Sequence, residues 1–398
     1  MRILYFSPRD CWPLTTGARL RDYHLAHQLA KRAELLYVAM RAPGETANEL
    51  PAEAGFRQVQ VHRDKAYSAG KLIGGVTGPV PVTIRNYTSA TAKRELAELL
   101  TQWKPDVVQI EGVHLVEYIP TIRRHASKAA VVADWHNVES ELMWRYSEAT
   151  ESLPRRLMAK RTASLIEAAE NKLLKQCDAH SVVSAREREK LLKRWGQAQV
   201  GVVPNGVDVD YYQAGPDRVA GAARELLFVG SMDYHANIDA MVWFVRQVWP
   251  SIQAQHPGLT VRIVGREPSA EVRALEAQDV LVTGTVDDVR PYYSKALAVI
   301  VPLRVGGGTR LKILESMAAG IPVISTSLGA EGLSVTDGVH LLLADTIESW
   351  AQRIAGLLAS PDQADRLIAE GKKLVRESYD WPVAVRALEE LHRACVST

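Results

Sequence analysis

Residues 298–325 read AVIVPLRVGGGTRLKILESMAAGIPVIS. The four aliphatic residues 298–301 form the short continuous apolar run expected of a strand buried on both faces. Pro302 and the triplet Gly306-Gly307-Gly308 end that run. Residues 311–319 then carry helical spacing, which Gly320 and Pro322 stop, and 323–325 opens a further β-rich run. Strand, glycine loop, helix and strand in this order make one unit of a parallel sheet.

The same rhythm extends outward from this stretch. Short aliphatic runs at 3–6, 35–38, 107–110, 131–133, 181–183 and 200–203 alternate with helical stretches in the first half, and runs at 226–229, 261–264, 280–282 and 341–343 do so in the second. The fold class is therefore α/β, with two doubly wound parallel-sheet domains in series. The junction is placed at Val203-Pro204-Asn205-Gly206-Val207-Asp208, where turn formers end a strand. This gives an N-terminal domain at 1–203, a C-terminal domain at 204–378, and a tail at 379–398. The tail begins Tyr379-Asp380-Trp381-Pro382 and predicts a proline-started amphipathic helix able to cap either domain, including the N-terminal one.

Composition narrows the function. The 398 residues are 47% hydrophobic and carry a net charge of +2, so no global field points to a nucleic-acid partner. Cys11, Cys177 and Cys395 are odd in number and lack zinc spacing, which fits a reducing, cytoplasmic setting. The start MRILYFSPRD lacks the apolar core of a signal peptide, so the protein is expected in the cytoplasm, at most peripheral at the inner face of a membrane.

Ligands of open parallel sheets bind beyond the carboxyl ends of the strands. The loop Gly306-Gly307-Gly308-Thr309 at a helix start leaves backbone N–H groups open, and the helix dipole favours an anion there. On a helical wheel Leu311, Leu314, Met317 and Ala318 share the apolar face, with Lys312, Glu315, Ser316 and Ala319 opposite. Arg310 and Lys312 supply cationic donors for a diphosphate, and Glu315 can accept hydrogen bonds from vicinal hydroxyls. The plain alternative is a tight turn and a solvated helix face.

These residues, with VPNGVD upstream and FVGSMDYHANIDAM between, resemble the C-terminal half of the family 4 retaining glycosyltransferases, in the branch found among bacterial polysaccharide-assembly enzymes. The resemblance implies the GT-B fold, two Rossmann-like domains facing a central cleft. It also implies transfer of a sugar from a nucleotide-diphosphate sugar to a hydroxyl acceptor with retention at the anomeric carbon. The expected acceptor is a saccharide or lipid-linked saccharide, and neither a cofactor nor a catalytic metal is expected. In that family this helix carries a Glu-x7-Glu pair, and Glu315 matches the second acid. The first falls on Gly307 counted back from Glu315, or on Gly306 counted forward from Pro302, so it is missing. Ser231 and Asn237 stand where many relatives place Arg and Lys, which makes Arg310 and Lys312 the candidates to replace that charge. Asn237 also reads as the N-cap of a helix over 238–248.

The resemblance carries over further donor contacts. Gly17 matches the family's glycine loop after the first strand, and His136 sits where the family often places a histidine beside the transferred sugar. Gly265 and Arg266, then Gly284 and Thr285, match places where backbone meets the nucleotide, though each is also ordinary turn chemistry. The loop Gly329-Ala330-Glu331-Gly332 is a softer candidate for the donor sugar. Arg19, Asn86, Tyr87 and Glu111 are candidate acceptor contacts. Asp208-Val209-Asp210 looks like a metal-binding Asp-x-Asp element, but its place in the interdomain segment marks it as linker chemistry. The region 154–195, with Arg155, Arg156, Lys160 and Arg161 clustered at one end, offers a basic amphipathic surface suited to anionic lipid; a merely solvated surface is the alternative. Two further readings stay open. One is a catalytically idle nucleotide-sugar-binding subunit, and the other is a GT-B nucleotide-sugar epimerase.

Overall fold

The computed structural model describes residues 1–46, 48–64, 68–216, 224–306 and 310–396. The chain divides into two compact units, one of Met1–Pro204 with Ala384–Thr398 and one of Asn205–Val383.

The first unit is built on a seven-stranded sheet of order β3-β2-β1-β4-β5-β6-β7. Its strands are β1 (Arg2–Ser7), β2 (Glu34–Arg41), β3 (Arg57–His62), β4 (Val107–Glu111), β5 (Ala130–Trp135), β6 (Ala179–Val182) and β7 (Val200–Val202). Every pairing is parallel. The central strands β4 and β5 are buried along their whole length because helices cover both faces. Leu4, Phe6, Val108, Ile110, Val131 and Ala133 anchor that core. The edge strand β3, RQVQVH, is the element the aliphatic runs do not announce: its alternation buries Val61 and leaves both ends exposed. The helix Trp381–Val396 returns to this unit, where Glu389 pairs with Arg32 at 3.0 Å and His392 bonds Gln109 at 3.0 Å.

The second unit has a six-stranded sheet of order β10-β9-β8-β11-β12-β13. Its strands are β8 (Glu225–Val229), β9 (Thr260–Val264), β10 (Val280–Gly284), β11 (Ala296–Val301), β12 (Val323–Ser325) and β13 (Leu342–Leu343), again all parallel. At its base Gly206 leaves room for Trp381, whose ring lies 2.6 Å from where a Cβ would stand.

Both sheets reverse their order of growth beside the first strand of the unit, between β1 and β4 and between β8 and β11. Loops leaving adjacent strands there run apart and open a crevice, which is where such sheets bind ligands. The aspartates of the Asp-x-Asp element are structural. Asp208 caps the helix Val209–Gln213 through the Tyr211 N–H at 2.9 Å, and Asp210 pairs with Arg376 at 2.8 Å.

Candidate active-site groups in each unit

In the second unit, the loops after β8 and β11 bring the candidate phosphate-binding side chains together. Gly265 approaches Gly230 so closely that a Cβ on it would lie 1.7 Å from the Gly230 carbonyl oxygen. A Cβ on Gly230 would in turn meet the Lys312 Nζ at 2.8 Å. The two glycines thus pack the exits of β8 and β9 against each other and leave the space that the Lys312 ammonium fills. That ammonium donates to Asn237 Oδ1 at 3.0 Å and lies 3.8 Å from the centroid of the Phe228 ring. Asn237 is fixed by its own donation to the Ser231 carbonyl at 2.8 Å. It is not the helix cap: the helix is His235–Trp243, and Tyr234 is its capping residue. Asn237 instead turns inward and holds the lysine.

Charge at this place is costly. Burial, aided by the Arg310 charge and opposed by Glu315, lowers the Lys312 pKa to about 7. Arg310 is 9% exposed, and burial lowers its pKa as well. Burial raises the pKa of Glu315, against the nearby hydroxyl of Tyr212, the charge of Lys312 and the nearby hydroxyl of Tyr293. The helix Leu311–Ala318 buries Ile313 and Ser316 along with its apolar face, so the wheel's polar side narrows to Lys312 and Glu315 in its first turns. Ser316 is taken inward by donating to the Lys312 carbonyl at 2.5 Å. Gly307, Gly308 and Thr309 lie outside the described residues; Gly306 adopts φ +102, a conformation that favours glycine.

The neighbouring loops are bound into this site. Arg266 donates to Ser231 Oγ at 2.7 Å and pairs with Asp233 at 3.4 Å. Gly284, at φ +75, accepts the Gly265 N–H at 3.2 Å, with Thr285 exposed beyond it. Arg304 is committed elsewhere, to Asp239 at 2.7 Å and to the face of Trp243. Gly329 packs against the Ser325 hydroxyl, 2.4 Å from where a Cβ would stand.

In the first unit, His136 leaves the end of β5 and meets a carboxylate cluster assembled from three elements. Its Nε2 lies 2.8 Å from Glu111 Oε2 at the end of β4, and 3.5 Å from both Asp22 Oδ1 and Asp134 Oδ2. Asp134 receives both arms of Arg21 at 2.7 and 2.8 Å and the Ser181 hydroxyl at 2.5 Å. Asp22 accepts from Ser7 at 2.9 Å and from Tyr37 at 3.2 Å. Gln109 donates to Glu111 at 2.9 Å. Burial works to raise the Asp134 pKa, but Arg21 overcomes it and holds the group low. Glu111 has no such partner, and burial together with the Asp134 charge pushes it up. Burial and the Glu111 charge push Asp22 up to about 6, while Arg9 and His136 pull the other way. Burial lowers His136 against Asp22 and Asp134. A neutral imidazole beside a shared carboxyl proton follows from these opposed shifts.

By spacing, Asp22, Glu111 and His136 could ligate a cation, since their ligand atoms lie within 4.8 Å of one another. Arg9, at 3.7 Å from Asp22, already supplies positive charge to one of these carboxylates, and Arg21, paired with the adjoining Asp134, adds to it; both compete with any such ion. Gly17 opens the helix Gly17–Ala30, with Thr16 as its cap. Buried Arg21 and Asp22 on that helix, together with Asp134, are the site residues the motifs did not name; charged residues at its core-facing positions are the signal that could have found them. Arg19 donates to Thr15 at 3.3 Å. The Tyr87 carbonyl accepts the Tyr118 hydroxyl at 2.6 Å, and buried Asn86 offers its carbonyl to Arg63 at 3.4 Å.

A family model described as "Glycosyltransferase Family 4" matches residues 17–211, and one described as "Glycosyl transferases group 1" matches 223–360. The chain belongs to the family 4 glycosyltransferases. It is similar to the phosphatidyl-myo-inositol mannosyltransferase of Mycobacterium leprae, at 26% identity over 52% of this chain and 58% of that protein. The chain spans roughly two-fifths to three-fifths of the length of the curated relatives it matches. Among solved structures, sucrose-phosphate synthase from Thermosynechococcus elongatus superposes with a TM-score of 0.71 at 19% identity over all of both chains. HepE from Anabaena in complex with UDP does so at 0.68 and 14% identity, over 99% of this chain and all of that one. The two sheets thus form the Rossmann-like domains of GT-B glycosyltransferase structures. No helix among the described residues is long and apolar enough to cross a membrane.

Proposed function

We propose that the chain is a cytoplasmic, metal-independent, retaining glycosyltransferase. It would move a sugar from a nucleotide-diphosphate sugar to a hydroxyl acceptor in bacterial polysaccharide or glycoconjugate assembly. The observation that carries this reading is the pairing of half-buried Lys312 and buried Arg310 at the strand-order reversal of the second unit, with Glu315 one helical turn beyond Lys312. Two cations held where solvation does not satisfy them favour a bound diphosphate, and most of all the charge that grows on it as the sugar leaves. Glu315, among tyrosine hydroxyls, suits a ribose. His136, its pKa lowered by burial and its ring oriented by Glu111, suits the donor sugar. Family membership and the printed UDP complex of HepE support a nucleotide donor. The arginines beside Asp22 and Asp134 support chemistry without a metal.

The test is product formation from a panel of nucleotide sugars in chelator, with and without acceptor. Acceptor-dependent transfer with the anomeric configuration kept is the expected result. Glycine in place of the first acid favours one second reading, a nucleotide-sugar-binding subunit without turnover. Tight donor binding with no transfer to any acceptor would support that reading, and product without acceptor would support an epimerase.

A further inference from the structure

We propose that the first two turns of the helix Leu153–Gln176 form a docking face for an anionic lipid surface, an inference independent of the donor site. The four most exposed large apolar side chains among the described residues are Leu157 at 59%, Leu153 and Tyr146 at 56% and Met158 at 54%, and all lie within residues 146–158. Their clustering is unlike the isolated exposed apolar residues of an ordinary surface. At about 100° per residue, Leu153, Leu157, Pro154 and Met158 sweep one continuous arc. Ala159, Ala163, Ile166 and Glu170 lie on the opposite side and are buried. The helix therefore packs on the protein through one face and turns a second apolar face outward, where a groove of about 330 Å³ lies between it and Val82 and Thr83.

The flanking charges name the occupant. Lys160 and Arg156 border the arc on one side and Arg155 on the other, and no side-chain hydrogen bond or ion pair engages these three among the described residues. Most other cations of the basic region are consumed internally, with exposed Lys193, on the later helix Ala185–Arg194, the exception. Arg161 bonds the carbonyls of Gly75 and Gly78, Lys172 pairs with Glu117, Lys190 with Glu141, and Arg194 with Glu170. Lys175 lies over the Trp195 ring. A protein partner would not require cations on both borders of an apolar stripe. A bilayer does, because acyl chains accept the stripe and anionic headgroups meet the charges at its edges. Glu148 and Glu151 precede the helix, so the attraction rests on the three helix cations and should be sensitive to salt.

The experiment is sedimentation of the full chain with phosphatidylcholine vesicles, with and without phosphatidylglycerol. The protein is expected to partition onto the anionic vesicles and to be released by salt. Arg155→Glu with Arg156→Glu, and separately Leu153→Ser with Leu157→Ser and Met158→Ser, should each lower partitioning by about tenfold or more. Reversing the exposed pair Arg124→Glu and Lys128→Glu should leave it unchanged. All these positions are exposed except half-buried Arg156, and an unchanged melting temperature in each variant shows that the fold survives. Absence of binding to anionic vesicles, equal binding by all variants, or self-association that the serine variant abolishes would overturn the proposal; the last would give the face to a second copy of the chain.

Discussion

The two buried polar groups solve opposite problems with the same sheet topology. Around His136, charge is cancelled within the protein: Arg21 grips Asp134 with both arms, and each remaining carboxylate finds a hydroxyl, an amide or the imidazole. Around Lys312, charge is left over. Its polar partner is the neutral Asn237, a ring face lies against it, and no carboxylate stands within ion-pair distance among the described residues. A group cancelled internally holds a shape, whereas a group with surplus charge awaits a counter-ion. We therefore assign positioning to the first and anion binding to the second.

If that contrast is sound, the largest effect falls on turnover when the surplus charge is removed. Arg310→Ala and Lys312→Ala should each lower kcat by about a hundredfold or more while melting temperature moves little. Unchanged steady-state kinetics would break the assignment. In the first unit the same kind of change should strike stability. Asp134→Asn leaves buried Arg21 without its counter-charge, at a cost of about 3–5 kcal/mol in denaturant unfolding. Glu111→Gln keeps the shape of the side chain but replaces the titrating carboxyl beside His136 with a neutral amide. Stability should hold, while kcat falls about tenfold and its pH profile shifts. A flat, unchanged profile would show that Glu111 does not position the imidazole.

The glycines sharpen the comparison within one site. Gly265→Ala drives a methyl into a backbone oxygen and should unfold or strongly destabilise the second unit. Gly230→Ala meets only the movable end of Lys312 and the Asn237 amide, so the fold should persist with nucleotide affinity down by about tenfold. Equal losses of stability in both variants would contradict this account. The smallest effect is on pH. The folded Lys312 pKa, about 7, lies below its ordinary value, so folding releases a proton between the two. Stability of the unliganded protein should therefore rise with pH from about 7 toward the ordinary lysine range, and Lys312→Met should flatten that rise.

What the sequence disclosed follows from which interactions are local. Aliphatic runs mark the buried strands because each is apolar on both faces, and βαβ spacing then yields two parallel sheets. The strand β3 escapes because its polar alternation is that of an edge. Arg310, Lys312 and Glu315 share one loop and helix, so their adjacency is written in sequence. Their supports are not: Asn237 reaches Lys312 across 75 residues, and Gly230 matters only because Gly265 packs against it. The Asp22, Glu111, Asp134 and His136 cluster draws on two strand ends and a helix, and no spacing rule links the three elements. Asn237 reads as a cap in the sequence because its amide suits either role, and only its contact with the Lys312 ammonium decides between them.

The most direct test is calorimetric titration of a nucleoside diphosphate, in chelator, at pH 7 and pH 9, for the native protein and for Lys312→Met. The account predicts metal-free binding that weakens at the higher pH as Lys312 loses its proton. It also predicts that Lys312→Met binds poorly at both. Binding that needs a divalent metal, or equal affinity in the native protein and in Lys312→Met, would contradict the claim that surplus buried charge in the second unit is the donor site.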